Sequence, residues 1–435
     1  MTTSNMMGHV DFRFLRPAKA ALLKERYDLF GRNAAPLRCV AINDAIIVPP
    51  VPELWNEGLR ECGVIDSSMH FVTESSQDVD NARAISEYGK EAASSKAEDM
   101  TVMYAGYLNR HWGHFTVDCL SRLWAAIDSS WQFDKIVFCV EPGNLALPDG
   151  NVMECIKLLG MEDKLMLIDR PKRFRCVIVP EEGALSRHHF AKETLAVYDR
   201  IAMNAAVGHD NGKLPEKIYM SRSRLKKAVK TEWDLKWFDD FFKNNGFTVI
   251  YPENIGIGEL ARYLRNAREV AAMSGTLPHN MLFANSGQKL IIIEKYANIN
   301  NYQPGIDLAR ELDVTYVDAN ALIWSVSPGG GPFILYPNRR FIDFAKDHCL
   351  TGATPFTSPK LKGILKQYFS QFHRQYSRQW YMEPWLEEEI GLLREAYRES
   401  MDDFGQWVDG SSPLYPCDAL SPLYLVKKLR SWLHK

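Results

Sequence analysis

Three short segments of this 435-residue chain carry side chains whose types and spacing fit chemistry. The first runs from Asn109 to Arg122 and places His114, Asp118 and Arg122 at i, i+4 and i+8, one polar stripe on a helix. Phe115, Cys119, Leu123 and Ile127 form the neighbouring apolar stripe that faces a sheet. An imidazole and a carboxylate near the start of a helix suit general-base work, with either Asp118 or His114 as the base; a surface ion-pair ladder is the plain structural alternative. The second segment, Tyr219 to Lys227, sets Arg222 and Arg224 just past a strand, a cationic loop of the kind that holds a phosphate. The third, Met273 to Phe283, reads as a strand end, a tight turn through Ser274, Gly275 and Thr276, and a helix with Pro278 in its first turn. Backbone N–H groups at such a helix start attract anions, and His279 and Asn280 add side-chain donors.

Other matches are weaker. Gly256-Ile-Gly-Glu-Leu-Ala261 imitates a dinucleotide fingerprint, but Pro252 to Ile255 separates it from its strand and the next strand ends without the ribose-binding acid. Asp78 and Asp80 have the spacing of a metal-binding pair but follow Ser-Ser-Gln, which reads as a polar loop. Gly329-Gly-Gly331 lacks the Lys-Ser/Thr of a phosphate loop, and neither GxSxG nor HExxH occurs. No metal site is expected, because no Asp-x-Asp follows a strand and the eight cysteines lie singly; buried free thiols fit them better than disulfides or zinc.

The elements that must position these residues alternate. Residues 1–100 read as an irregular, strand-rich start to a first lobe, with strands over Cys39–Pro49 and Met69–Glu74. From 101 to 207, strands at Thr101–Ala105, Lys135–Val140, Lys164–Ile168 and Cys176–Val179 alternate with helices at Trp112–Ile127, Asn151–Leu159 and Phe190–Val207. A polar, turn-rich linker spans 208–216. Residues 217–330 then repeat the alternation, with strands at Lys217–Ser221, Phe247–Tyr251, Glu269–Met273, Lys289–Glu294 and Val314–Val317. The remainder, 331–435, reads as a helical extension. This spacing predicts an α/β fold of two doubly wound lobes with a cleft between them and ligands beyond the carboxyl ends of the strands.

Composition bounds the rest. The 52 basic against 54 acidic side chains leave a net charge of −2, which argues against a dedicated nucleic-acid binder. The apolar runs are strand-length, and the amino terminus has no basic stretch leading into an apolar one, so a cytoplasmic enzyme is expected. The segment Leu420–Lys435 is basic and amphipathic, which fits either a helix packed back on the fold or peripheral contact with the inner face of an anionic membrane.

Taken in order, the motifs resemble glycosyltransferase family 61, whose bacterial members belong to capsule and cell-surface polysaccharide synthesis. Gly113, His114, Asp118 and Arg122 match its G-H-x3-D-x3-R helix; Ser221-Arg222 matches a strand ending in S/T-R, and Pro252-Glu253 a P-E. Gly275, Asn280, Phe283 and Glu294 match part of a downstream G-x-H-G-A-x3-N-x2-F segment and a strand ending in Glu. Ser274 stands where the family usually carries His, with His279 five residues on. The resemblance implies a GT-B arrangement of two Rossmann-like lobes, an inverting mechanism, a nucleotide-sugar donor on the second lobe and a glycan or lipid-linked acceptor on the first. It implies Asp118 or His114 as base with Arg122 in support. Arg222, Arg224, Ser274, Gly275, Thr276, His279 and Asn280 would lie around the donor phosphates, and Glu253 and Glu294 on ribose or sugar hydroxyls. No cofactor is expected beyond the nucleotide-sugar substrate. The alternatives are a nucleotide-dependent oxidoreductase and a non-catalytic scaffold of the same fold.

Overall fold

The computed structural model describes residues 9–357 except 33–35, 51–61, 77–89, 186–188, 210–213, 227–231, 296–298 and 322–332, together with 360, 363 and 364. Asp78, Asp80, the glycines at 329–331, the middle of the linker, most of the helical extension and the segment 420–435 lie outside the described residues.

The chain opens with β1 (Val10–Phe14), a helix at Pro17–Arg32, β2 (Cys39–Val48), β3 (Gly63–Ile65) and β4 (Glu98–Tyr107). A helical run starts at Trp112, followed by β5 (Lys135–Cys139), a helix at Gly150–Leu158, β6 (Leu165–Ile168) and β7 (Lys172–Pro180). The short β8 (Ala184–Leu185) and β9 (His189–Phe190) precede a helix at Leu195–Ala206. Beyond the linker come β10 (Lys217–Met220), β11 (Glu232–Trp233), a helix at Leu235–Asn244, β12 (Thr248–Ile250) and a helix at Ile257–Asn266. The strands β13 (Glu269–Met273) and β14 (Lys289–Glu294) flank a 3-10 helix at Pro278–Phe283. A helix at Gln303–Ala309, β15 (Asp313–Asp318), β16 (Asn320–Ala321), β17 (Phe333–Leu335) and a helix at Arg339–Asp347 complete the described part.

Two six-stranded sheets organise these elements. The second has the order β1-β15-β14-β13-β10-β12 with every pair parallel. Its middle strands read as unbroken apolar runs; five of the six residues of β14 are buried, as expected of a strand covered on both faces. The chain leaves β10 toward β12 on one side and continues through β13, β14 and β15 on the other, so the winding reverses beside β10. The carboxyl ends of β10 and β13 therefore form the crevice where a doubly wound sheet takes its ligand.

The first sheet, β3-β2-β7-β4-β5-β6, is mixed: β4 is parallel to β5 and β7, but β2 is antiparallel to both β7 and β3. One buried apolar cluster spans both sheets, including Met103 and Phe138 from one and Val270 and Ile291 from the other.

Three differences from the sequence reading stand out. β1 belongs to the second sheet, as the parallel partner of β15, and not to the first lobe. The helix at Pro17–Arg32 was unread; it buries Lys19, Leu23, Tyr27 and Phe30 along one face. The stretch expected as a strand over Met69–Glu74 contributes a single bridge, Phe71 to Ile65, before a 3-10 turn at Thr73–Ser75, where Ser75 Oγ bonds back to Val72. Among the described residues, all seven cysteines are free and no helix is long and apolar enough to cross a membrane.

The imitation fingerprint at Gly256–Ala261 has a structural explanation. The N–H groups of Ile257 and Gly258, at the start of their helix, donate to Glu154 Oε2 and Oε1 at 3.0 and 2.9 Å. A Cβ on Gly256 would lie 2.6 Å from Glu154 Oε2, and one on Gly258 2.9 Å from Oε1, so a side chain at either position would push the carboxylate from its place. A carboxylate from the helix Gly150–Leu158 thus occupies the place a pyrophosphate takes in a dinucleotide fold, and ties the two halves together. Glu154→Ala is expected to lower the unfolding free energy by about 1–2 kcal/mol, the value of a helix N-terminal cap; denaturant titration against wild type measures it.

Candidate active site

The run from Trp112 to Ile127 is continuous but not uniform: α-helical at Trp112–His114, π-helical at Phe115–Cys119 and 3-10 at Arg122–Ile127. Phe115, Val117, Cys119, Leu120 and Leu123 are buried and fix it to the core. His114 Nδ1 lies 2.8 Å from Asp118 Oδ2, with side chains 50% and 20% exposed, so solvent reaches the pair. Asp118 Oδ1 is buried without a hydrogen-bond partner. The wide π turn and tight 3-10 turn break the 3.6-residue period, and Arg122 leaves the stripe. Its guanidinium, almost fully buried, donates to the carbonyls of Glu74, Ser76 and Pro180 at 2.6–2.9 Å and to Glu182 Oε2 at 3.0 Å. Burial pushes the Glu182 carboxyl well above its usual range, against the pull of Arg122. Arg122 supports the helix from beneath and does not join the His114–Asp118 pair.

The third motif meets this helix directly. Past β13, Ser274 is buried, its N–H donating to Ile293 and its Oγ accepting from Lys295 N at 3.1 Å. Gly275 turns the chain with a φ of +118°, a conformation side chains disfavour. Thr276 then packs on Gly113, where a Cβ would stand 2.4 Å from its Cγ2. The Trp112 indole donates to Asn280 Oδ1 at 2.9 Å, and the Asn280 amide donates to Leu277 O at 2.9 Å. Asn280 is therefore committed to the junction, not to a donor. The expected anion seat at the helix start is also corrected: Pro278–Phe283 is a six-residue 3-10 turn with every residue buried.

His279, on the same turn, is the unsatisfied group. Neither ring nitrogen has a hydrogen-bond partner within bonding geometry. Burial drives its pKa from 6.5 down to about 4, while Asn300 and Asp118 pull it up and His114 and His111 push it down. Those influences put His279 in the neighbourhood of the His114–Asp118 pair. Two sets of unpartnered polar atoms, Asp118 Oδ1 and the His279 nitrogens, thus belong to turns that are close enough to influence each other.

The two arginines of the second motif diverge. Arg222 turns toward Glu232, its Nε 3.2 Å from Oε1, where Lys295 Nζ also arrives at 2.9 Å. Arg224 is exposed and lies over the Tyr251 ring at 3.8 Å, beside Asp239, which accepts from Ser221, Ser223 and Tyr251. It lines a separate open groove with Lys236, Lys243 and Val249, away from Ser274 and His279. Glu294 is buried and bound to Lys19 Nζ at 2.8 Å; burial raises its pKa despite that lysine. It supports β14 and offers no open carboxylate to a sugar. Glu253 is exposed on a 3-10 turn. Lys19, Glu232 and Lys295 escaped the sequence reading, although Lys295 directly follows the last residue of β14, where ligand-binding groups gather in such sheets.

With this geometry in view, comparison with known proteins is informative. Residues 112–291 match the family model described as Glycosyltransferase 61. This segment is similar to glycosyltransferase family 61. The match starts two residues before His114 and ends within β14, so it contains both sides of the junction. Sugar transfer is the activity that this match indicates. No curated protein matches the chain.

Burial of neutral His279 gives the matched region an acid-sensitive element. The unfolded chain takes up a proton at the ordinary imidazole value, whereas the folded one waits until about pH 4, so the unfolded state binds more protons in between. The contribution is complete above about pH 6.5 and lost as pH falls toward 4, at ~1.4 kcal/mol per pH unit and ~3 kcal/mol in all. Unfolding free energies of wild type and His279→Asn across this range should show the steeper acid loss in wild type; parallel profiles would refute the assignment.

Proposed function

We propose that the chain transfers a sugar from a nucleotide-sugar donor to a glycan or lipid-linked acceptor with inversion, in cell-surface polysaccharide synthesis at the cytoplasmic face of a membrane. The two sheets act as the lobes of a GT-B arrangement, the first on the acceptor side and the second on the donor side. The observation that carries this reading is the contact between Trp112–Gly113 and Thr276–Asn280, which sets a base candidate from one sheet against the strand ends of the other.

The hydrogen bond from His114 Nδ1 to Asp118 favours the imidazole as the base. With Nδ1 holding the proton, Nε2 carries the basic lone pair, and Asp118 stabilises the imidazolium formed when the acceptor hydroxyl gives up its proton. The oxygen so activated attacks the anomeric carbon from the face opposite the departing phosphate. The leaving group is stabilised by cationic side chains beyond β10, with Arg222 foremost, so no bound metal is required. Asp118 Oδ1 and His279 are satisfied by sugar or acceptor hydroxyls.

Release of nucleoside diphosphate from a panel of nucleotide-sugars, with glycan and lipid-linked acceptors, tests the activity. In a responsive pair, Asp118→Asn and His114→Ala should each reduce kcat by roughly 10²-fold or more, leaving nucleoside-diphosphate affinity and melting temperature near wild type. An ion pair with no catalytic role is worth less than about 1 kcal/mol of stability, and its loss would leave turnover intact. Normal rates in both variants would discard the base assignment.

A further inference from the structure

Beyond the carboxyl ends of β10 and β14, two cationic side chains converge on one carboxylate oxygen. Lys295 Nζ and Arg222 Nε stand 2.9 and 3.2 Å from Glu232 Oε1. Lys295 is 5% exposed and Glu232 4%, so the meeting point is dry. The arrangement is lopsided: Glu232 Oε2 is buried without a hydrogen-bond partner, and Arg222 Nε is not aligned on any acceptor. A guanidinium–carboxylate pair selected for stability uses both oxygens in parallel bonds. Here both cations crowd one oxygen while the other carboxylate oxygen is left unsatisfied, which is costly in a buried ion pair unless another group completes it.

On one side of the ammonium the backbone carries no side chain. The Cβ position of Gly275 lies 3.6 Å from Lys295 Nζ, and Gly275 leaves that position without a side chain. Lys295 is held in place by its own N–H on Ser274 Oγ, and its ammonium lies 5.0 Å from the centre of the Phe333 ring. The next residue, Thr276, packs on Gly113, which precedes His114. The ammonium thus lies at the edge of the junction that carries the candidate base.

The geometry points to Lys295 and Arg222 as the seat for the diphosphate of a nucleotide-linked substrate, with Glu232 an internal carboxylate that holds the two cations until phosphate oxygens take its place. The seat follows from the charges and distances; only the identity of its ligand as a sugar donor rests on the transferase reading. A point-charge ammonium after β14 and a flat guanidinium after β10, on strands either side of β13, can share the oxygens of two linked phosphates, a task exposed Arg224 is not placed to perform.

The test is calorimetric titration of the full chain with inorganic pyrophosphate, a probe independent of nucleobase and sugar. Wild type binds it. Lys295→Met raises the dissociation constant at least tenfold, whereas Glu232→Gln, which removes the competing carboxylate, lowers it at least threefold. The double variant Lys295→Met/Glu232→Gln replaces the buried pair by neutral groups and so guards against misfolding; at a wild-type melting temperature it remains at least tenfold weaker than Glu232→Gln alone. Lys236→Met, removing an exposed lysine bound to Asp240, leaves binding unchanged. The proposal is overturned if wild type does not bind pyrophosphate, if Glu232→Gln binds no tighter, if the folded double variant matches Glu232→Gln, or if Lys236→Met weakens binding as much as Lys295→Met. Pyrophosphate binding that follows this pattern in a protein without sugar transfer would count against the transferase reading alone.

Discussion

Two backbones can approach closely only where side chains allow it, and the junction between Gly113 and Thr276 depends on that freedom. A Cβ at 113 would overlap Thr276, so glycine lets the start of one helix lie against the turn after β13. The Trp112 indole N–H, half-buried, then finds its acceptor in Asn280, 168 residues away, and fixes the approach with a hydrogen bond. Several of the groups proposed for chemistry lie close to this contact: in the chain, the pair His114–Asp118 on one side and His279 on the other, and in space, Lys295 beside Gly275. The Glu154 carboxylate on the helix start at Ile257 reinforces it from a second direction.

Buried charge explains why the first residues of the described chain join the second sheet. Lys19 meets Glu294 at 2.8 Å and Asp318 at 3.6 Å, while Arg16 bonds Asp318 through its backbone N–H and Asn320 through its guanidinium. Glu294 and Asp318 end adjacent strands, so two carboxylates are brought side by side in a low-dielectric interior. Without cations their repulsion and desolvation would oppose the register that β14 and β15 share. The segment from β1 to Arg32 brings those cations. Its place at the edge of the second sheet is an electrostatic requirement as well as a hydrogen-bonded one.

This requirement also marks the limit of what could be read from the residues in order. Alternating strands and helices between 101 and 318 were legible because each element carries its own period and its own turn. The pairing of Val10–Phe14 with Asp313–Asp318 was not, because a parallel partner some 300 residues away leaves no local trace. The pair His114–Asp118 followed from i, i+4 spacing, but the same rule extended to Arg122 failed at the π turn. Arg222 and Arg224 looked equivalent; the backbone after β10 sends one toward Glu232 and the other over Tyr251. Lys295 belongs to no motif, and its importance arises only from the Glu232 carboxylate opposite it.

The proposed reaction gives this uneven distribution of charge a direction. As a hydroxyl attacks and a phosphate departs, negative charge forms at the acceptor oxygen and ends on the diphosphate. A base beside the first position must be able to gain a proton without a cation crowding it, and a buried imidazole kept neutral, as His279 is, adds no positive charge there. The other end needs the opposite: positive charge in place before the bond breaks, since organised charges stabilise a leaving group without rearranging when it forms. Arg222 and Lys295 supply it on the sheet that does not carry His114. Placing both at the base would depress proton transfer; placing neither at the strand ends would leave the phosphate to water. On the proposed reading, the separation of the two tasks onto different sheets follows from the chemistry, and the tight contact at Gly113 keeps them close enough to act on one substrate.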